Sequence, residues 1–480
     1  MKQSTEQNIL ADIDLSAGLT QQQAEQIYQQ GREAVVFALL KQSQMLAEKR
    51  NLQAAVADDP STPSAQKPVF TKENKSPRKR NKRPGRNKGH KGSRRRRPEA
   101  DRTIEHRPDH CPDCGNRIGN CSKSRQRYVE DIPDDVRVET VRYVIYRGWC
   151  KKCKKTVEPV IDQALPKSSI GNGILILSAW LHYALGNTIT QILEVFNYHL
   201  QFKMSAGGLV QMWHRLADIF WQWYEEISED IQKAAVLHGD ETGWRVNGRT
   251  HWLWCFTSKK ATIFTIERSR AGPVVLEFIK EYFDGVVVSD FWYAYNVLTC
   301  AKQKCLGHLL RELKRVQKYK DTGSDWAEFC KKLKRLLRDA IRLRRRKAEF
   351  TADVYDRRCG RLEKRLDGII EHSWSNKEAK RLIKRLNRHR DELFTFLYND
   401  DVPYDNNFAE RNIRGAVIMR KNSFNNRSEK GAMTQSVLMS VFFTLKQRGL
   451  NPVDTVKKAL KIYIKTGNLP TLAEQTTENG

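Results

Sequence analysis

Residues 234–258 read AAVLHGDETGWRVNGRTHWLWCFTS, and the reading of this stretch decides the fold. An apolar run, Ala234 to Leu237, ends on Asp240 with Glu241 beside it. Asn247-Gly248 follows, a dipeptide that favours a two-residue hairpin because both positions accept positive φ. The return run, His251 to Thr257, alternates Trp252, Trp254 and Phe256 against Leu253 and Cys255. Apolar side chains on both faces predict a strand buried within a sheet. A carboxylate in that setting is costly unless a cation or hydrogen bond compensates it, so Asp240 is either a salted structural residue or a metal ligand.

Working outward towards the C-terminus, ATIFTI (Ala261–Ile266) supplies a third strand, and Pro273 opens a helix at the favoured first turn. GVVVSD (Gly285–Asp290) is an apolar strand that ends in a second carboxylate, and Gln303 to Leu306 form a short fifth strand leading to His308. Three antiparallel strands, a helix and a buried strand with a terminal acid follow the order of a ribonuclease-H-like fold. There the first and fourth strands run side by side and parallel, so Asp240 and Asp290 converge. Like charges at one point call for a divalent cation. A third acid, Glu410, lies on a helix that Asp405 or Asn406 can cap, in its second turn; an exposed ion pair with Arg414 is its alternative role. Glu241 and Asp405 are competing acids. Arg411, Arg414, Arg420 and Lys421 surround Glu410 and suit phosphates.

The 480 residues carry 85 Lys+Arg against 56 Asp+Glu, a formal charge of +29. Such an excess self-repels without an acidic partner, and nucleic acid is the leading candidate. No apolar run is long enough to span a bilayer, and the first residues lack a signal-peptide profile, which predicts a cytoplasmic, nucleoid-associated protein without a membrane partner. Residues 51–100 lose apolar periodicity and contain KSPRKRNKRPGRNKGHKGSRRRRP. Lys88 and Arg94, Arg95, Arg96 and Arg97 make this a disordered linker that binds DNA through phosphate neutralisation. Cys111-Pro112-Asp113-Cys114 and Cys150-Lys151-Lys152-Cys153 are paired knuckles that complete one closed structural zinc site. Alternation at Val136, Val138, Val141, Tyr143 and Ile145 predicts strands between them, and so a zinc ribbon over residues 101–165.

Residues 1–50 contain an amphipathic helix (Ile27, Val35, Leu39, Leu46) that is an oligomerisation candidate. Residues 166–232 read as helices: Gly173 to Leu185, a second after Asn187-Thr188, and a third capped by Ser205 that runs to about Gln232. The last two resemble a helix-turn-helix, although Trp213, Phe220 and Trp223 suit a core better than base stacking. The catalytic domain covers 233–308 and 401–450, with a basic helical insertion over 309–400 suited to clamping DNA. An apolar helix within Gly431–Leu450 closes the back of the sheet, and residues 451–480 are a C-terminal helix and tail. Cys305 and His308 have CxxH spacing without a second pair, so His308 is assigned to DNA contact or support of the site rather than to a metal.

The motifs HGDETGW, VVSDFWYAY, CLGHLLRELKR, PYDNNFAERNIRGAVIMRKNSF and RSEKGA, together with the basic segment and cysteine knuckles, resemble insertion sequence 66 transposases, a bacterial DDE family, over roughly residues 80–460. The resemblance implies that Asp240, Asp290 and Glu410 are the DDE residues and hold two magnesium or manganese ions. It also implies cleavage at the ends of a mobile element, strand transfer into target DNA, a homo-oligomer on DNA, and small accessory proteins from the same element. Asn425-Asn426 departs from the less polar residues expected there. Two other readings stay open at this point: a structure-selective nuclease on the same fold, and an inactive zinc-ribbon DNA-binding protein.

Overall fold

The computed structural model describes residues 20–29, 31–43 apart from 33 and 37, 99–119 apart from 106, 127–129, 132, 136–319, 323–423 and 425–472. Lys88, Arg94, Arg95, Arg96, Arg97 and Leu46 lie outside the described residues. The described residues fall into two compact units, one bounded by Met1–Lys72, Tyr143–Glu194 and Met204–Gly480, the other by Glu73–Arg142 and Val195–Lys203.

In the larger unit a hairpin forms where the sequence predicts it. Strand β3 (Val236–Val246) turns through Asn247 (φ 47°) and Gly248 (φ 72°) into β4 (Arg249–Thr257). Both turn residues are left-handed, which matches the twist of the flanking strands. Antiparallel β5 (Thr262–Glu267) completes a meander, and β6 (Val286–Ser289) and β7 (Lys302–Lys304) add on the other side. The sheet order is β5-β4-β3-β6-β7, with β6 parallel to β3 and β7 parallel to β6. Leu253, Trp254, Cys255 and Phe256 are all buried, as a strand covered on both faces requires.

Strand pairing sets Val236 against Val286 and His238 against Val288. Residues two apart share a face, so the same register carries Asp240 and Asp290 side by side just past the last paired residues. That face is covered by the insertion: α7 (Leu306–Tyr319), α8 (Gly323–Arg345), α9 (Ala352–Glu371) and α10 (Lys377–Arg388) bury Leu313, Phe329, Leu366 and Leu382 in one core with Val286 and Val288. The insertion is thus a helical core built onto the sheet.

Earlier in the chain, Asn172–Ala179 forms α2 and relaxes into a π-helical turn, Trp180–Ala184, in place of one continuous helix. Helix α3 spans Ile189–His199. The Ser205 hydroxyl caps α4 (Ala206–Ile219), accepting from the Gly208 N–H at 3.1 Å. The single helix expected to reach Gln232 breaks at Phe220 (φ −85°, ψ 9°), and α5 (Trp221–Gln232) starts afresh. Trp213, Phe220 and Trp223, which flank the break, all lie in the core, each at most 1% exposed.

Crossover helix α6 (Gly272–Ile279) carries its proline in the first turn, the short α11 is Thr395–Tyr398, and α12 is Asn407–Asn422. Helix α13 (Glu429–Gln447) lies along the edge of the sheet, where the sequence suggested its back face. Ser440 Oγ accepts from the Phe264 N–H at 2.8 Å and Thr444 Oγ1 from the Thr262 N–H at 3.0 Å. These are the outward amides of an edge strand, which need partners once buried. Helix α14 (Pro452–Thr466) is capped by Asn451 and stops at Gly467 (φ 78°). No helix among the described residues is long and apolar enough to cross a membrane.

Residues 136–147 make no strand ladder, contrary to the alternation, and Val141, Tyr143 and Ile145 are exposed. The antiparallel pair instead flanks the second knuckle, β1 (Gly148–Cys150) with β2 (Lys155–Val157). In the N-terminal segment the structure has helix α1 (Gln21–Gln29) with Ile27 buried.

Candidate active site

Asp240 comes from β3, Asp290 from the residue after β6, and Glu410 from the first turn of α12, one turn earlier than the sequence suggested. Burial, followed by the charges of Glu241, Asp290 and Glu410, pushes the Asp240 carboxyl well above the usual carboxylate range. Asp290 and Glu410 are thus each near enough to Asp240 for their charges to bear on it. Asp290 Oδ1 accepts the Trp292 N–H at 2.8 Å, which fixes the turn leaving β6.

The opposite face of β3 does different work. Glu241 is buried and pairs with Arg270, whose Nη2 lies 2.6 Å from Oε1, while the Tyr295 hydroxyl donates to Oε2 at 3.2 Å. Arg270 sits over Trp292 at 3.5 Å and Trp252 at 4.5 Å from the ring centroids. Burial and the charge of Asp290 still bring Glu241 up to about 7 despite Arg270. Gly239 is required here, because a Cβ would fall 2.6 Å from Tyr295 Cε1. Glu241 is thus bound to a structural partner, and Asp405 is bonded within its own turn to Asn407.

Asn406 positions the third acid. It is buried, and its side chain does not cap α12. It turns to the sheet: Nδ2 donates to the Gly239 carbonyl at 2.8 Å and Oδ1 meets His238 Nδ1 at 3.0 Å. Its N–H donates to Cys305 Sγ at 3.2 Å. Glu410 itself accepts from Arg311 Nη2 at 2.8 Å, and His308 Nε2 is 3.8 Å away. Its partner is Arg311, not Arg414, and neither Asn406 nor Arg311 was singled out for this role by sequence spacing. The polar pattern DNN before α12 is the one local sign.

Among the surrounding basic residues, Arg411, Arg414 and Lys421 are exposed. Arg420 is turned inward and donates to the Gly243 carbonyl; burial lowers its guanidinium from the ordinary value. The unexpected Asn425-Asn426 has a structural explanation. Asn425 takes a left-handed φ of 63°, which asparagine tolerates. Asn426 Oδ1 accepts from Trp244 Nε1 at 2.7 Å, and its backbone bonds Asn247 and Arg245, closing off the tip of the hairpin.

Cys111 and Cys114 belong to the smaller unit, Cys150 and Cys153 to the larger. Backbone N–H groups of Cys114 and Asp113 pull the Cys111 thiol below its usual pKa, and those of Cys153 and Lys152 contribute likewise at Cys150. In each pair the loop thus favours the thiolate of the first cysteine.

The family model for the Transposase IS66 family matches residues 167–434, a span that holds the sheet, the insertion and all three acids. The chain belongs to this family, and its class is that of transposases. It is 21% identical over 392 residues to the uncharacterized protein y4hP of Sinorhizobium fredii, covering 74% of this chain and 70% of that protein. The uncharacterized protein y4jD of the same organism is 23% identical over 396 residues, covering 74% of this chain and 75% of its own length. A third, y4qI, is 25% identical over 267 residues, 49% of each chain.

Proposed function

We propose that the protein is a DDE transposase on a ribonuclease-H-like sheet, cleaving DNA at the ends of its element and joining the liberated 3′ end to target DNA. What supports this reading is that the charges of Asp290 and Glu410 both bear on the Asp240 carboxyl, so that carboxylates from β3, from the residue after β6 and from α12 share one neighbourhood. Their all-oxygen donor set fits magnesium or manganese. Bound there, two such ions would supply Lewis acidity to the attacking and leaving oxygens of an in-line displacement. The carboxylates hold that position, and Asn406 fixes the approach of Glu410. Arg411, Arg414 and Lys421 lie on the same helix and bind phosphates; Arg420 braces β3 from beneath, and His308 supports Glu410. No protein nucleophile is required.

In this reading Cys111, Cys114, Cys150 and Cys153 hold one structural zinc, and Lys88 with Arg94 to Arg97 adds non-specific DNA affinity. Joining two ends requires at least two copies of the chain on DNA, and the helical segment within residues 1–50 is a candidate contact. The test is cleavage and joining of a plasmid carrying the element's ends, with magnesium. Asp290→Asn should abolish cleavage while gel-shift binding persists. Cleavage by the variant at the wild-type rate refutes the assignment, and cleavage by wild type without joined products points to a nuclease.

A further inference from the structure

Cys305 follows β7, His308 lies in the first turn of α7, and Glu410 in the first turn of α12. One ligand atom from each lies within 4.8 Å of the other two. His308 Nε2 and Glu410 Oε1 are 3.8 Å apart, and tetrahedral bonds of about 2.0–2.3 Å put ligand atoms roughly 3.3–3.8 Å from one another. A cation already fills the gap. Arg311 Nη2 is 2.8 Å from Glu410 Oε1 and 3.1 Å from His308 Nε2, on a side chain exposed enough to swing into water. The thiol is held in place by the Asn406 N–H, and the Leu306 N–H bonds the Tyr404 carbonyl at 2.9 Å, tying together the two segments that carry the ligands.

Thiol and imidazole change the chemistry of this corner. Asp240 and Asp290 offer hard oxygen alone, whereas sulfur and nitrogen select zinc, cobalt or cadmium over magnesium. We propose that Cys305, His308 and Glu410 form a second metal site, for a thiophilic divalent ion of the zinc class, whose occupancy displaces Arg311 and withdraws Glu410 from the catalytic set. Water completes the shell. The sharing of Glu410 makes the ion an inhibitor, and this part rests on the reading of Glu410 given above; binding itself does not.

The test uses the full chain with its knuckle cysteines already loaded with zinc, titrated with cobalt alone and followed by thiolate-to-cobalt charge-transfer absorption. Wild type should take up one more cobalt than Cys305→Ser. Losing a direct ligand should weaken uptake by more than the roughly 10–100-fold carried by outer partners of metal ligands. Arg311→Ala removes the competing cation and should tighten uptake, an effect that a merely structural cluster would not produce. In magnesium-supported cleavage, added zinc should inhibit wild type and spare Cys305→Ser. Equal cobalt uptake by wild type and Cys305→Ser overturns the proposal, as does uptake without inhibition of an active enzyme. Cobalt binding through Cys305 in a chain that cleaves nothing under any metal overturns the transposase reading and supports the site.

Discussion

Asn406 Nδ2 donates to the carbonyl of Gly239 at 2.8 Å, tying the residue before Asp240 to the residue that launches the helix of Glu410. Two acids separated by most of the catalytic region are thereby indexed to one another through a single amide. The bond is buried, so its loss leaves a carbonyl without a partner.

Replacing Asn406 with alanine should therefore cost about 1–3 kcal/mol in thermal or denaturant unfolding. Magnesium-dependent cleavage should fall further than the loss of folded protein explains, because Glu410 loses its reference to the sheet. Cleavage per folded molecule equal to wild type would show that Glu410 is held by other contacts.

The Glu241–Arg270 pair should behave asymmetrically. Arg270→Ala strands a buried carboxylate and should destabilise by about 3–5 kcal/mol, the range for breaking a buried pair from one side. Pairing it with Glu241→Gln should recover part of that loss. A double-mutant cycle in urea checks this; additive losses would mean that the two side chains are not coupled.

Gly239→Ala places a methyl group against the Tyr295 ring, 2.6 Å from Cε1. Overpacking of this kind costs about 1–3 kcal/mol, so the melting temperature should drop. Tyr295→Leu in the same chain should relieve part of the clash. A Gly239→Ala protein as stable as wild type would mean that the ring moves freely.

Glu392 gives a pH dependence whose sign can be worked out. Burial alone would raise its carboxyl, but the His389 hydrogen bond and the charges of Lys304 and Lys302 outweigh it and bring it down to about 2. Lys304 is itself pulled down by burial and up by Glu392, so the pair persists as ions through mutual support. A carboxyl lowered on folding stabilises the protein above its unfolded pKa of 4.5, and that contribution disappears as pH falls from 4.5 through 2. Up to roughly 3 kcal/mol is at stake. Acid titration of stability should be flatter over that window in Glu392→Gln than in wild type.

Much of the site was legible before any coordinates. Apolar runs ending on Asp240 and Asp290, and Asn-Gly between two strands, are local patterns, and local sterics and burial enforce them wherever the chain goes. Parallel pairing of the first and fourth strands followed from the strand and helix order. The break at Phe220 was less legible, because Trp213, Phe220 and Trp223 recur at a spacing that one continuous helix would also place on a single face. The alternation over 136–145 misled for the opposite reason: period-two apolarity has no meaning without a partner strand or a face to bury.

The sequence alone determined which residue types were available and in what order: apolar runs ending on acids, a basic helical insertion, two cysteine knuckles and an excess of positive charge. Those properties depend on neighbours within a few positions. Only the tertiary structure decided that Glu410 would meet Arg311 and His308 in place of Arg414. It alone turned Asn406 inward to the sheet, gave Glu241 its partners Arg270 and Tyr295, and laid α13 along the edge of β5. Each of these depends on contacts between segments far apart in the chain, where packing geometry and the need to satisfy buried polar groups choose among partners that local pattern leaves equivalent.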